Sequence, residues 1–78
     1  MDPTLHALHL AAGLRAGRER TCTGKIAYGG EDSASRAAAQ MNRKPTTRKV
    51  LEAYPCAFCH AWHIGRAMSR EELDAAAR

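Results

Sequence analysis

The thirteen residues from Tyr54 to Arg66, YPCAFCHAWHIGR, hold two of the chain's three cysteines, two of its four histidines and three of its four aromatic rings. Two cysteines separated by two residues form a tight turn whose sulfurs both reach one tetrahedral ion. His63, four positions beyond Cys59, supplies a third donor. The alternation Trp62, His63, Ile64 places the imidazole on one face of an extended segment and its neighbours on the other. The remaining thiol, Cys22, ranks first for the fourth corner, because Thr23-Gly24 provides the turn that a ligand-bearing loop needs. His60, His6 and His9 compete for that corner. The expected site is Cys22, Cys56, Cys59 and His63 around Zn2+, a closed Cys3His set of the structural kind.

Other chemistries use the same residues. Cys56-Ala57-Phe58-Cys59-His60 spells the c-type haem attachment pattern, which normally requires export. The N-terminus Met1-Asp2-Pro3-Thr4-Leu5-His6 shows neither a basic region nor a long apolar run, so no secretory signal is read there. Haem would also leave Cys22 and the Trp62-His63 pair unexplained. A thioredoxin-like redox pair expects a βαβ surround, and too little chain follows Cys59 to supply it. An odd cysteine count speaks against a disulfide framework. Buried, inert cysteines would account for the thiols but not for their spacing.

Size makes a metal important. A chain of 78 residues buries only about 60% of its unfolded surface, which leaves a marginal core. Structural zinc contributes on the order of 10 to 16 kcal/mol of apparent binding free energy in small peptides at neutral pH. The 45% hydrophobic content is inflated by alanine, and aromatic residues are 5%. No stretch is long and apolar enough to span a membrane. The formal charge of +4 becomes about +3 once three thiolates and a divalent ion are counted. With no export signal, a cytoplasmic location is the default expectation.

In chain order, Asp2 as N-cap and Pro3 at the first helical position open a short helix carrying Leu5, Leu8 and Ala12, with Gly13 and Gly17 ending it. His6 and His9 share a face of it, and Arg15, Arg18 and Arg20 follow in a linker. Lys25 to Tyr28 reads as a strand between Gly24 and Gly29-Gly30. Asp32-Ser33 caps a helix whose stripe of Ala34, Ala37, Ala38 and Met41 lets it lie close to a sheet, and Asn42 to Pro45 ends it. Val50 to Tyr54 and Trp62 to Arg66 read as an antiparallel hairpin with the cysteine turn at its tip. His60 occupies a tip position where a positive backbone angle is often required. Ser69-Arg70-Glu71-Glu72 is a capping box opening a last helix with Leu73, Ala76 and Ala77. The expected class is α+β: a small zinc finger built on a short antiparallel β-sheet with one packed helix and flanking terminal helices. Residues 1–20 form the N-terminal helix and linker, 21–68 the finger domain and 69–78 the C-terminal helix.

The order Cys22, Lys25-Ile26-Ala27-Tyr28, an alanine-rich helix, Tyr54, Cys56, Cys59 and Trp62-His63-Ile64-Gly65 resembles that of small zinc-finger-like proteins of actinobacterial phages and related mobile elements. The resemblance covers roughly residues 22–66 and rests mainly on the cysteine pair followed by Trp-His. It implies the same ligand set and a compact ββα-type finger with an extra strand. Ala57 departs from the proline, and His60 from the glycine, that such turns often carry.

A saturated zinc site offers no open position for substrate or water, so catalysis is not expected. The chain also lacks an evident nucleophile with its base and a phosphate-cradling glycine motif. Between Arg15 and Arg70 eleven Lys or Arg face four acids. Arg36, Arg43, Lys44, Arg48 and Lys49, extended by Lys25, Arg66 and Arg70, form a candidate phosphate-binding patch. The first functional expectation is therefore a small regulatory DNA- or RNA-binding module. The alternative is a protein-interaction module using Phe58, Leu5, Leu8, Leu10 and Leu73.

Overall fold

A computed structural model describes all of residues 1–78 as an α+β fold of four helices and one two-stranded antiparallel sheet. The first helix, α1 (Pro3–Ala16), starts as its sequence predicts: the Asp2 carboxylate accepts the Leu5 N–H at 3.0 Å and Pro3 sits in the first turn. Gly13 does not end it. A β-carbon there would lie 3.2 Å from the Thr21 γ-methyl, so Gly13 is where the next segment comes close. Gly17, at φ +96°, makes the break instead.

The expected linker contains a single helical turn, α2 (Arg18–Thr21). The buried Thr21 donates its hydroxyl to the Gly13 carbonyl at 3.3 Å, and its own carbonyl accepts the Tyr54 hydroxyl at 2.6 Å. These bonds tie the chain just before Cys22 to both α1 and the sheet.

Helix α3 (Glu31–Asn42) begins before the Asp32-Ser33 cap read from the sequence. Gly30 is the N-cap, Glu31 and Asp32 fall in the first turn, and the Ser33 hydroxyl donates to the Gly30 carbonyl at 3.1 Å. Ala34 and Ala38 are buried against the sheet, as their helical spacing predicts. Asn42 closes the helix and clamps the loop after it, its side chain donating to the Leu51 carbonyl at 2.9 Å and accepting the Leu51 N–H at 2.8 Å.

Strands β1 (Leu51–Pro55) and β2 (Trp62–Arg66) pair with Tyr54 opposite His63 and Ala53 opposite Ile64. Alternation sorts the two faces. Leu51, Ala53 and Ile64 turn toward α3, whereas Glu52 and Tyr54 meet His9 of α1. The strand expected at Lys25–Tyr28 reduces to one bridge, in which Tyr28 and Trp62 exchange backbone bonds of 2.8 and 2.9 Å. Ile26 does not extend it, because its carbonyl accepts from the His63 ring.

The last helix, α4 (Arg70–Ala77), has the full capping box, Ser69 Oγ accepting the Glu72 N–H at 3.1 Å and Glu72 accepting the Ser69 N–H at 2.9 Å. It packs along α1. Leu73 is consequently 1% exposed, and Leu5, Leu8 and Leu10 are half-buried, so these leucines serve the interior rather than an outward docking face.

Candidate metal centre

The hairpin tip is a knuckle. The Cys56 N–H donates to the Ala61 carbonyl at 2.9 Å, the His60 N–H to the Cys56 carbonyl at 3.2 Å, and the Phe58 N–H to the Cys56 sulfur at 3.4 Å. His60 takes φ +62°, the only non-glycine residue to do so, which meets the expectation for that position. Its side chain is exposed.

Four donor atoms converge beside this turn. The sulfurs of Cys22, Cys56 and Cys59 and a ring nitrogen of His63 all lie within 4.8 Å of one another. A tetrahedral site with ~2.3 Å metal–sulfur bonds has edges of ~3.8 Å, so a small contraction closes the set on one ion. Cys22 arrives from the end of α2, Cys56 and Cys59 from the knuckle, and His63 from β2. His6, His9 and His60, the competitors for the fourth corner, stand elsewhere: His6 edge-on to Trp62, His9 stacked on Tyr54, and His60 in solvent.

His63 shows how the site is tuned. It is 1% exposed, its Nε2 lies 3.4 Å from the Cys59 sulfur, and its Nδ1–H donates to the Ile26 carbonyl at 2.7 Å. A proton held on Nδ1 leaves the Nε2 lone pair aimed at the thiols, the tautomer that a metal ligand requires. The Ile26 carbonyl thus acts as an outer partner to the ligand. Spacing analysis does not reveal it, since any residue carries that oxygen.

The thiols divide unevenly. Burial works against a Cys56 thiolate, but the N–H groups of Cys59 and Phe58 and the thiols of Cys59 and Cys22 outweigh it and bring its pKa to about 7. Cys22 is pushed up to about 11, by burial first and then by hydrogen bonds to and charge on the other two thiols. Repulsion among clustered thiolates is what a divalent cation removes. Tyr54 is raised to about 12 by burial and then by the nearby thiolates, so its hydroxyl remains a donor to Thr21. The four-donor set, the low Cys56 pKa and the His63 tautomer suit a bound cation, which would draw the proton from Cys22.

Outside the cluster, Arg43, Lys44, Arg48 and Lys49 are exposed on α3's end and the loop that Asn42 clamps, and Arg36 is exposed on α3. Lys25 and Arg66 instead line a cleft on the α1 face of the hairpin. Arg66 is engaged by Glu72 at 3.0 Å. Phe58 carries the Arg18 guanidinium 5.1 Å above its ring, which half-covers a side chain read as free for docking. No helix is long and apolar enough to cross a membrane. Comparison with known protein families, curated proteins and solved structures finds no match.

Proposed function

We propose that the chain is a zinc-stabilised, non-catalytic nucleic-acid-binding module. Zinc is favoured over other ions by three thiolates and one imidazole in a compact four-donor set, a soft and tetrahedral combination. With four protein donors the ion has no open position, so its role is to hold α2, the knuckle and β2 together. A regulatory role in a phage or mobile element is the setting that the sequence resemblance suggests.

The observation that carries the nucleic-acid reading is the state of the cations. Of twelve Lys and Arg, only Arg66 has a carboxylate partner within 4.0 Å. Arg43, Lys44, Arg48 and Lys49 are crowded into one exposed segment without a single acid. Such unpaired cations favour a polyanion, whose binding releases condensed counterions.

Fluorescence anisotropy with labelled DNA and RNA tests the reading. Affinity is expected to fall linearly on a log–log plot against salt, and the reversal R43E/K44E/R48E/K49E is expected to weaken binding while leaving the far-ultraviolet dichroism intact. Salt-independent or absent binding would sink it. A second reading, a protein-interaction module, draws on Leu14, Ile26 and Val50, which are 60, 67 and 70% exposed. A stoichiometric, nuclease-resistant partner in a pull-down, lost on Ile26→Ser and Val50→Ser, would favour it.

A further inference from the structure

The α1 face of the hairpin bears a cleft of about 360 Å³, within the size range of small-ligand sites. Arg20, Lys25 and Arg66 line it, together with His9, Glu52 and Tyr54. Arg66 is already paired with Glu72, which leaves Arg20 and Lys25 as the unpaired cations beside the one lining carboxylate, Glu52. That carboxylate is partly committed: Glu52 Oε2 accepts the Met68 N–H at 3.0 Å.

His9 is the unexplained member. It is 8% exposed, yet neither ring nitrogen makes a hydrogen bond within the chain, and its Nε2 stands 3.9 Å from Glu52 Oε2. That gap is too long for a hydrogen bond and suits a bridging hydroxyl, which accepts from one group and donates to the other. Burial lowers the pKa of His9, partly offset by Glu52, so the imidazole is a neutral donor and acceptor rather than a fixed cation. No side-chain nitrogen or oxygen is fully buried without a partner, so the unpartnered ring nitrogens of the largely buried His9 open onto the cleft, where a ligand can reach them.

We infer that this cleft is a binding site for a phosphomonoester bearing a hydroxyl, with the unpaired Arg20 and Lys25 receiving the phosphate and the His9–Glu52 pair receiving the hydroxyl. Arginine and lysine are the side chains suited to a dianionic phosphate, and a sugar phosphate supplies both functions in one molecule. Its source is either a free sugar phosphate or the 5′-phosphorylated end of a nucleic acid. The site is separate from the Arg43–Lys49 segment and stands without the nucleic-acid reading.

The test follows the His9 ring resonances of the zinc-loaded protein by NMR during titration with ribose 5-phosphate, ribose, inorganic phosphate, and an oligonucleotide with and without a 5′-phosphate. Ribose 5-phosphate is expected to shift His9 saturably and more tightly than ribose or inorganic phosphate. R20E/K25E, whose two side chains are exposed and unpaired, is expected to weaken it roughly tenfold or more. Tighter saturation by the 5′-phosphorylated oligonucleotide than by its 5′-hydroxyl twin assigns the site to nucleic-acid ends; indifference to the oligonucleotide's phosphate, with ribose 5-phosphate still binding, assigns it to free sugar phosphates. Absence of a saturable His9 shift, equal response to inorganic phosphate, or no loss in R20E/K25E would overturn the inference.

Discussion

His63 is held from both sides, by the thiols at Nε2 and the Ile26 carbonyl at Nδ1, and these two roles separate on mutation. His63→Ala removes a ligand, so zinc and fold are expected to go together in native mass spectrometry and circular dichroism. His63→Cys keeps four donors but abandons the Ile26 carbonyl. It is expected to retain one zinc per chain while losing about 1–3 kcal/mol in urea titration, the range for a lost buried hydrogen bond and its packing. A second residue-scale test lies at Gly13. Alanine is ordinarily the better helix former, but here its methyl meets Thr21, so Gly13→Ala is expected to destabilise and Thr21→Ser, which removes the offending methyl, to rescue it. Cys56, Cys59 and His63 were readable because ligand spacing is written in side-chain identity. Cys22 was readable as the remaining thiol beside the Thr23-Gly24 turn, without a spacing motif of its own. The passage of α1 through Gly13 was not, since it depends on what lies against the helix rather than on the helix itself.

At the scale of elements, the hairpin and α4 follow from local signals: the proline exit and alternation at Tyr54–Pro55, and a capping box complete within four residues. Ser69→Ala is expected to cost about 1 kcal/mol in thermal or urea unfolding. The same cap carries a pH dependence. Glu72's carboxyl is held below its usual range, first by the Ser69 N–H and then by Arg66. A depressed folded pKa means stability present above the ordinary glutamate pKa of about 4.3 and lost as pH falls through the folded value. Glu72→Gln is expected to flatten that part of the melting-temperature profile below about pH 4.5. The other elements depend on distant partners. Lys25–Tyr28 has strand composition, yet Ile26 gives its carbonyl to His63, and the Arg18–Thr21 turn exists where Gly13 and Tyr54 capture Thr21. Neither competition can be read from neighbouring residues.

For the molecule as a whole, the question is what holds it together. Besides Pro55, the buried apolar residues are Ala12, Ala34, Ala38, Ala53, Cys56 and Leu73, so four of those six are alanines and one is a thiol of the candidate metal site. Alanine lets α3 approach the hairpin closely but removes little apolar surface from water, and full burial of one larger aliphatic chain contributes only about 1.5–3 kcal/mol. On the proposed zinc reading, α2, the knuckle and β2 are coupled by the cluster at Cys22, Cys56, Cys59 and His63, which joins residues 41 positions apart in the chain, and the terminal helices depend on that frame. The coupling predicts cooperativity. Removal of zinc by a strong chelator is expected to abolish the far-ultraviolet helical signal of α1, α3 and α4 in one transition, and readdition of zinc under reducing conditions is expected to restore it. If α1 and α4 stayed helical and packed after chelation, the leucine contacts between them would have to suffice, and the ion would be a local staple on the hairpin rather than the element on which the fold depends.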